Sequence, residues 1–388
     1  MPSNSSISSF EAGAEQPGPF HLLRRLTIFM SPLIAAAMVI AGVAAMTGEV
    51  VPVRWVAWAA TKHHPFIYLP RLSDHSFYLK LQAARLKRPD ILVLGTSRSN
   101  QWRSAMFAPY TFYNSGNAID PIKDFPRFLE EMGSPFPKVI IFSLDFFTFD
   151  NTWAARFVNL AHGDIQGAEY ATLLKELVVQ AWANPQILRK PVDPAYHVPA
   201  IGLTASGYGN GFRLDGSFQY GQSLKSGPLA AIDVARAIHR IEIGEEPFLF
   251  SQALDAEQLH ELKRFADLAR KHSIALVAVT MPFPHAEIEA VENSQRHGNW
   301  KEFERQTFKD WIAGQGIIYF DFTHTESFNG NEGEFVDGFH PTETAYVRML
   351  LSMLKDPRFK SLMPKVSEQM LVRRLQTATT HEVFRNEF

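Results

Sequence analysis

The sequence predicts an α/β fold: a parallel sheet in three layers, with helices on both faces, preceded by one N-terminal transmembrane helix. Three observations carry this expectation. Five short aliphatic runs, ILVLG (91 to 95), TFYN (111 to 114), KVIIFSL (138 to 144), IALVAVT (274 to 280) and GIIYF (316 to 320), read as strands buried on both faces. Helical patterns separate most of them; parallel neighbours need crossovers, and the crossover helices cover the faces. The clearest helix runs from Asp255 to Lys271, where Asp255 and Gln258 fit a capping box and Leu259, Leu262, Phe265 and Leu268 recur on one side.

The N-terminus comes first along the chain. Residues 1 to 25 read as a disordered cytoplasmic tail, rich in Ser, Gly, Pro and Glu over the first 20. Leu26 to Thr47 is an uncharged stretch of 22 residues, long enough to cross roughly 30 Å of hydrocarbon as a helix. Arg24 and Arg25 before it favour a cytoplasmic N-terminus and an exported body. A cleaved signal peptide is the rival, with Val43, Ala44 and Ala45 as a loose cleavage site, but the apolar run is longer than a signal core. Trp55 and Trp58 suit a membrane interface. Residues 48 to 72 read as a juxtamembrane connector, with the α/β domain over 73 to 365 and a C-terminal tail, helical or loose, over 366 to 388. Between residues 150 and 251 the alternation lapses into aromatic and Gly-rich sequence, an interruption that fits either a lid or substrate-recognition insertion or a plain surface elaboration.

The totals exclude several functions. With 38 basic and 40 acidic residues the net charge is -2, and no basic run interleaves with aromatics, so a nucleic-acid partner is not expected. Cysteine is absent, which removes thiol catalysis, disulfides and thiolate metal sites. No phosphate loop, zinc motif or haem signature occurs, so neither metal nor cofactor is expected.

In open α/β sheets the ligand crevice lies beyond the carboxyl ends of the strands, and Ser97 follows the strand 91 to 95 by two residues. A serine hydroxyl becomes a nucleophile only beside a base. Among 14 histidines the best placed is His340 in VDGFHPTETAYVRMLLSML: Asp337 precedes it by three residues across a Gly-containing turn, and a helix follows Pro341. That spacing lets the carboxylate hold one imidazole nitrogen while the other faces outward. The alternative for the same residues is a turn aspartate and a helix-start histidine. Asp321 and His324 form a second pair of this spacing, ranked lower because no proline-started helix follows. His285 is placed to line the crevice, Asp215 reads as an ordinary Asp-Gly turn, and His63 and His64 lack the spacing of a metal pair.

GTSR after one strand, YNSGNA after the next, LDFF after the third and DGFHP before the last helix resemble, in order, the blocks of the SGNH/GDSL hydrolase superfamily across residues 91 to 354. The resemblance implies the flavodoxin-like fold of that superfamily, Ser97 as nucleophile, His340 as general base and acid, and Asp337 as orienting carboxylate. It places the oxyanion glycine at Gly116, or near Ile119 if Asn114 is the anchor. The family's oxyanion asparagine falls on Asp145, a departure, since a carboxylate repels the developing charge; Asn114 or Asn117 is the expected substitute. With its N-terminal span, the chain is similar to membrane-anchored relatives in bacterial envelope polymer acylation, such as the alginate O-acetylation and lipoteichoic-acid D-alanylation proteins. That likeness implies the inner membrane, a periplasmic domain, an acylated carbohydrate or polysaccharide substrate and a membrane-bound O-acyltransferase partner. The contrasting expectation is a catalytically impaired binding or assembly module.

Overall fold

A computed structural model describes residues 19–62, 64–119, 121–156, 163–186, 198–221, 224, 231–385 and 387. The strands are β1 (Ile67–Tyr68), β2 (Ile91–Gly95), β3 (Phe112–Gly116), β4 (Val139–Ser143), β5 (Ala200–Ile201), β6 (Gly211–Phe212), β7 (Phe218–Gln219), β8 (Ala275–Thr280) and β9 (Ile318–Asp321). Five of them form one sheet in the order β3-β2-β4-β8-β9, every pair parallel. Each of the five aliphatic runs in the sequence is a strand of this sheet.

Alternation along the strands splits the core into two layers. Leu92, Leu94, Ile140, Phe142, Leu276 and Ala278 face one side, where they pack with Phe77, Phe125 and Phe265 from the helices Ser76–Lys87, Asp124–Met132 and Ala256–Lys271. Ile91, Val93, Ile141, Val277 and Val279 face the other, against the helices Glu343–Met353 and Glu368–Thr377. The protein is therefore mixed α/β, with helices on both faces of a parallel sheet. From β2 the chain moves outward to β3 and then returns across β2 to β4, so the direction of winding reverses between β2 and β4. A crevice opens at such a reversal, beyond the carboxyl ends of the strands.

Three expected boundaries differ. The segment 48 to 72 is no mere connector: Val53, Val56, Ala57, Phe66 and Tyr68 are buried in the core, and β1 pairs with β5 and β6. With β7 these make a small second sheet, β5-β1-β6-β7, so part of the 150 to 251 insertion is welded to the body. Near the C-terminus, the helix Glu368–Thr377 buries Leu371, and Phe384 is buried beyond it. The N-terminal helix spans Pro19–Thr47, beginning before the expected end of the tail at residue 25; the rest of that tail, residues 1 to 18, lies outside the described residues. Leu22–Thr47 is long and apolar enough to cross a membrane, and 6% of its most apolar stretch is buried.

Candidate active site

Ser97 opens a one-turn helix, Ser97–Ser99, directly after β2, with the Thr96 hydroxyl accepting from the Arg98 amide at 3.2 Å. The turn is tight because of Gly95: its φ of +130° is unfavourable for other residues, and a Cβ there would sit 2.1 Å from Ser143 Oγ. On the far side of the crevice, the Asp337 Oδ1 accepts from the amides of Phe339 and His340, each at 2.8 Å, folding DGFH into a closed turn. The His340 carbonyl accepts from the Val336 amide at 2.8 Å. Gly338 permits the packing, since a Cβ there would meet Glu287 Oε1 at 2.8 Å and the Asp233 carbonyl at 2.9 Å. Phe339 points inward, with ring centres 5.8 to 5.9 Å from Phe147, Phe248 and Phe283.

These two local structures, far apart in sequence, meet. Ser97 Oγ lies 2.9 Å from His340 Nε2, and His340 Nδ1 lies 3.0 and 3.1 Å from the two Asp337 oxygens. Burial favours the neutral acid at Asp337, but the charge of His340 and the hydrogen bonds from His340 and Phe339 outweigh it and draw the carboxyl down to about 2. Asp337 is therefore ionised at neutral pH, accepts a hydrogen bond from Nδ1–H and leaves Nε2 to face the serine. The Tyr220 ring, just after β7, sits 6.0 Å from the imidazole.

The expected oxyanion residues separate into distinct roles. The Asn114 side chain is fully committed: its Nδ2 donates to the carbonyls of Ser99 and Trp102 at 2.9 Å, and its Oδ1 accepts from the Gly116 amide at 2.6 Å. This corrects two expectations, because Asn114 braces the turn and the Gly116 N–H is already spent. Ile119, the other candidate glycine position, is buried in the core at 0% exposure. Asn117 stands differently. Its backbone N–H is held by the Gly95 carbonyl at 2.8 Å, beside Thr96, in a left-handed conformation with φ of +62°. The side-chain amide makes no hydrogen bond among the described residues and borders a cleft of about 430 Å³ that also includes Leu69, Arg71 and Ser73. The Ser97 N–H is likewise uncommitted among the described residues.

Asp145 is turned away from that role as well. It follows β4, is fully buried, and lies 3.6 Å from Arg98 Nε. Burial raises its pKa, against the pull of Arg98. Arg98, also fully buried, donates to the Pro282 carbonyl at 2.6 Å and stacks on the rings of Phe283 and Phe339, 3.6 and 4.5 Å from their centres. The Tyr346 hydroxyl donates to the Arg98 carbonyl. Arg98 thus ties the segment after Ser97 to the turn that carries His340, through Phe339, and to Asp145 beyond β4. Removing one partner of such a buried pair typically costs about 3–5 kcal/mol, because the other charge is left uncompensated. Sequence reasoning missed Arg98; its position next to Ser97 was the available signal.

Glu287 was missed too. It is 1% exposed, and neither carboxyl oxygen has a hydrogen-bond partner among the described residues. Burial pushes its pKa up to about 9; Arg98 opposes this, while Asp337 and Glu332 add to it. At neutral pH it is a neutral acid against the Asp337 turn.

The remaining candidates lie outside this constellation. Asp321 binds Lys309 at 2.5 Å, and His324 is exposed. His285 is exposed and pairs with Glu289 at 3.3 Å. Asp215 is an Asp-Gly turn but a buried one, accepting from the Ser104 amide at 2.9 Å and the Ser217 hydroxyl at 2.6 Å. His63 lies outside the described residues. Among the described residues no cluster of His, Asp or Glu fits a metal ion. Comparison with protein-family models, with characterised proteins and with solved structures yields no match.

Proposed function

We propose that this protein is a serine acyl-transfer enzyme of the SGNH/GDSL type, an esterase or O-acyltransferase that works through an acyl-serine. The observation that carries the proposal is the continuous Ser97–His340–Asp337 chain at the point where the sheet reverses its winding. His340 Nε2 takes the proton from Ser97 Oγ as the oxygen attacks an ester carbonyl. The imidazolium, steadied by ionised Asp337, then gives that proton to the departing alcohol oxygen, leaving the acyl group on Ser97. In the second half-reaction His340 deprotonates the acceptor, water in an esterase or a sugar hydroxyl in a transferase, as its oxygen bonds to the acyl carbon; the Oγ–acyl bond then breaks and the imidazolium returns the proton to Ser97 Oγ. The free N–H of Ser97 and the uncommitted amide of Asn117 are the donors to the oxyanion. Arg98 neutralises Asp145, so the aspartate at the expected asparagine position does not oppose that charge.

Anchoring by the N-terminal helix, with the catalytic domain on the periplasmic side of a bacterial inner membrane, fits an acylated envelope carbohydrate as substrate and a membrane-bound O-acyltransferase as partner. A second reading, a non-catalytic carbohydrate-binding or assembly module, draws on the Gly116 N–H being committed to Asn114. Fluorophosphonate labelling separates the two. The full chain should be modified at Ser97, and Ser97→Ala should abolish the labelling; a folded but unlabelled wild type favours the binding module.

A further inference from the structure

The helix Gly167–Ala183 carries its polarity in the wrong place for a surface helix. Leu173, Leu177 and Ala181 are buried. At 3.6 residues per turn the opposite side presents Ala168, Ala171, Thr172, Lys175, Val179 and Trp182, with Val178 half-buried at its flank. An aqueous helix keeps its charges on that outer side. Here Glu169 and Glu176 sit on the flank instead, and Lys175 is the one charge on the outer face. Val179 is 56% exposed and Trp182 is 90% exposed.

The helix packs against the N-terminal span, along which the buried or half-buried residues, among those whose side chains are described, are Ile40, Val43, Ala44 and Thr47, all in its last two turns. The span is locked to the body just beyond that contact. Glu49, 1% exposed, accepts from the amides of Arg71, Leu72 and Leu203 at 2.6 to 2.7 Å. Trp55 and Trp58, 61% and 52% exposed, share the outer side of the next short helix, Val53–Ala59. Lys62 lies over the Trp58 ring at 4.6 Å.

We infer that the outer face of Gly167–Ala183, together with Trp55 and Trp58, is a seat on the bilayer interface, holding the catalytic domain against the lipid surface rather than letting it swing from the anchor. The inference rests on the membrane-anchored reading above. Continuity with the span identifies the occupant as lipid. The apolar face begins where the span ends, and it offers tryptophans and a lysine that can extend to the headgroups.

The absence of cysteine makes single-site spin labelling direct. Full-length chains bearing Trp182→Cys, Ile34→Cys or Lys271→Cys are labelled and reconstituted into phosphatidylethanolamine–phosphatidylglycerol vesicles. Collision with oxygen is then compared with collision with a water-soluble nickel chelate. Position 34 reports the span itself, and Lys271 lies at the amino-terminal edge of the sheet, away from the seat. A ratio of oxygen to nickel collision several-fold higher at 182 than at 271 supports the seat. An aqueous ratio at 182 overturns it, whatever position 34 reads, and so does spin–spin broadening at 182, which assigns the face to a second copy. An aqueous ratio at 34 overturns the anchor, so the two failures are distinct.

Discussion

In the proposed reaction Ser97, His340 and Asp337 divide the work, and the residues expected to set its rate are the ones left free around them. Asn117 is uncommitted where Asn114, three positions earlier, spends its whole amide on the fold. Asn117→Gly, which keeps the left-handed backbone at φ +62°, should therefore leave folding intact and lower turnover about 100- to 1000-fold, the usual loss for one oxyanion donor; unchanged turnover of an acyl ester would remove Asn117 from the oxyanion site. Glu287 makes a different prediction. Its carboxyl ordinarily titrates near 4.5 and is pushed up to about 9 in the fold, so between these values the folded protein holds a proton that the unfolded chain releases. Stability carried by that proton is complete below pH 4.5 and is lost as pH rises toward 9. Glu287→Gln should flatten this decline, seen as a smaller loss of urea midpoint between pH 5 and 8 for the detergent-solubilised full chain. Parallel curves for variant and wild type would contradict the assignment. The Ser97–His340–Asp337 grouping was legible in sequence because each partner sits in a local motif. The free asparagine and the Arg98–Asp145 pair were not, since what separates Asn114 from Asn117 is a set of hydrogen bonds to residues brought near only by folding.

Among the elements, the hairpin of β6 and β7 matters most for the site, because it carries Tyr220 to the imidazole and closes one wall of the crevice. It does not behave as a loose lid. The Phe218 amide donates to the Asn100 carbonyl at 2.9 Å, the Asn114 amide donates to the Asp215 carbonyl at 2.8 Å, and buried Lys80 donates to the carbonyls of Asn114 and Gly216. Arg103 joins Asp215 to Glu343 on the far layer. Asp215→Ala should consequently destabilise the whole domain by about 3–5 kcal/mol, as expected when a buried charge loses its partner. A chemical-denaturation midpoint within error of wild type would show the hairpin to be independent of the core. The five long strands were legible because a strand buried on both faces is a continuous aliphatic run. The small sheet was not: two-residue strands such as β1, β5 and β6 carry no periodicity, and their pairing joins residues 67 to 68 to partners far along the chain. The same limit made the segment 48 to 72 read as a connector, although its short helix buries Val53, Val56 and Ala57.

At the scale of the molecule, the N-terminal apolar helix, the small sheet and the layer that carries Ser97 form a connected series. Glu49 fixes the span to the loop around Arg71 and to the helix Leu203–Tyr208, and the hairpin that follows reaches His340. The candidate site lies where the sheet reverses its winding, between β2 and β4, with Ser97 and Asp145 at the ends of those strands. This fold was legible from alternation and crossover rules, whereas the attachment of the anchor was not, because a single buried glutamate has no pattern to announce it. The most direct measurement of the central claim is to trap the covalent intermediate. Full-length protein mixed with p-nitrophenyl acetate and quenched in acid should yield one acetylated peptide, with the acetyl group on Ser97, and none in His340→Ala. An acetyl group found elsewhere, or equal acetylation of the His340→Ala protein, would contradict the account.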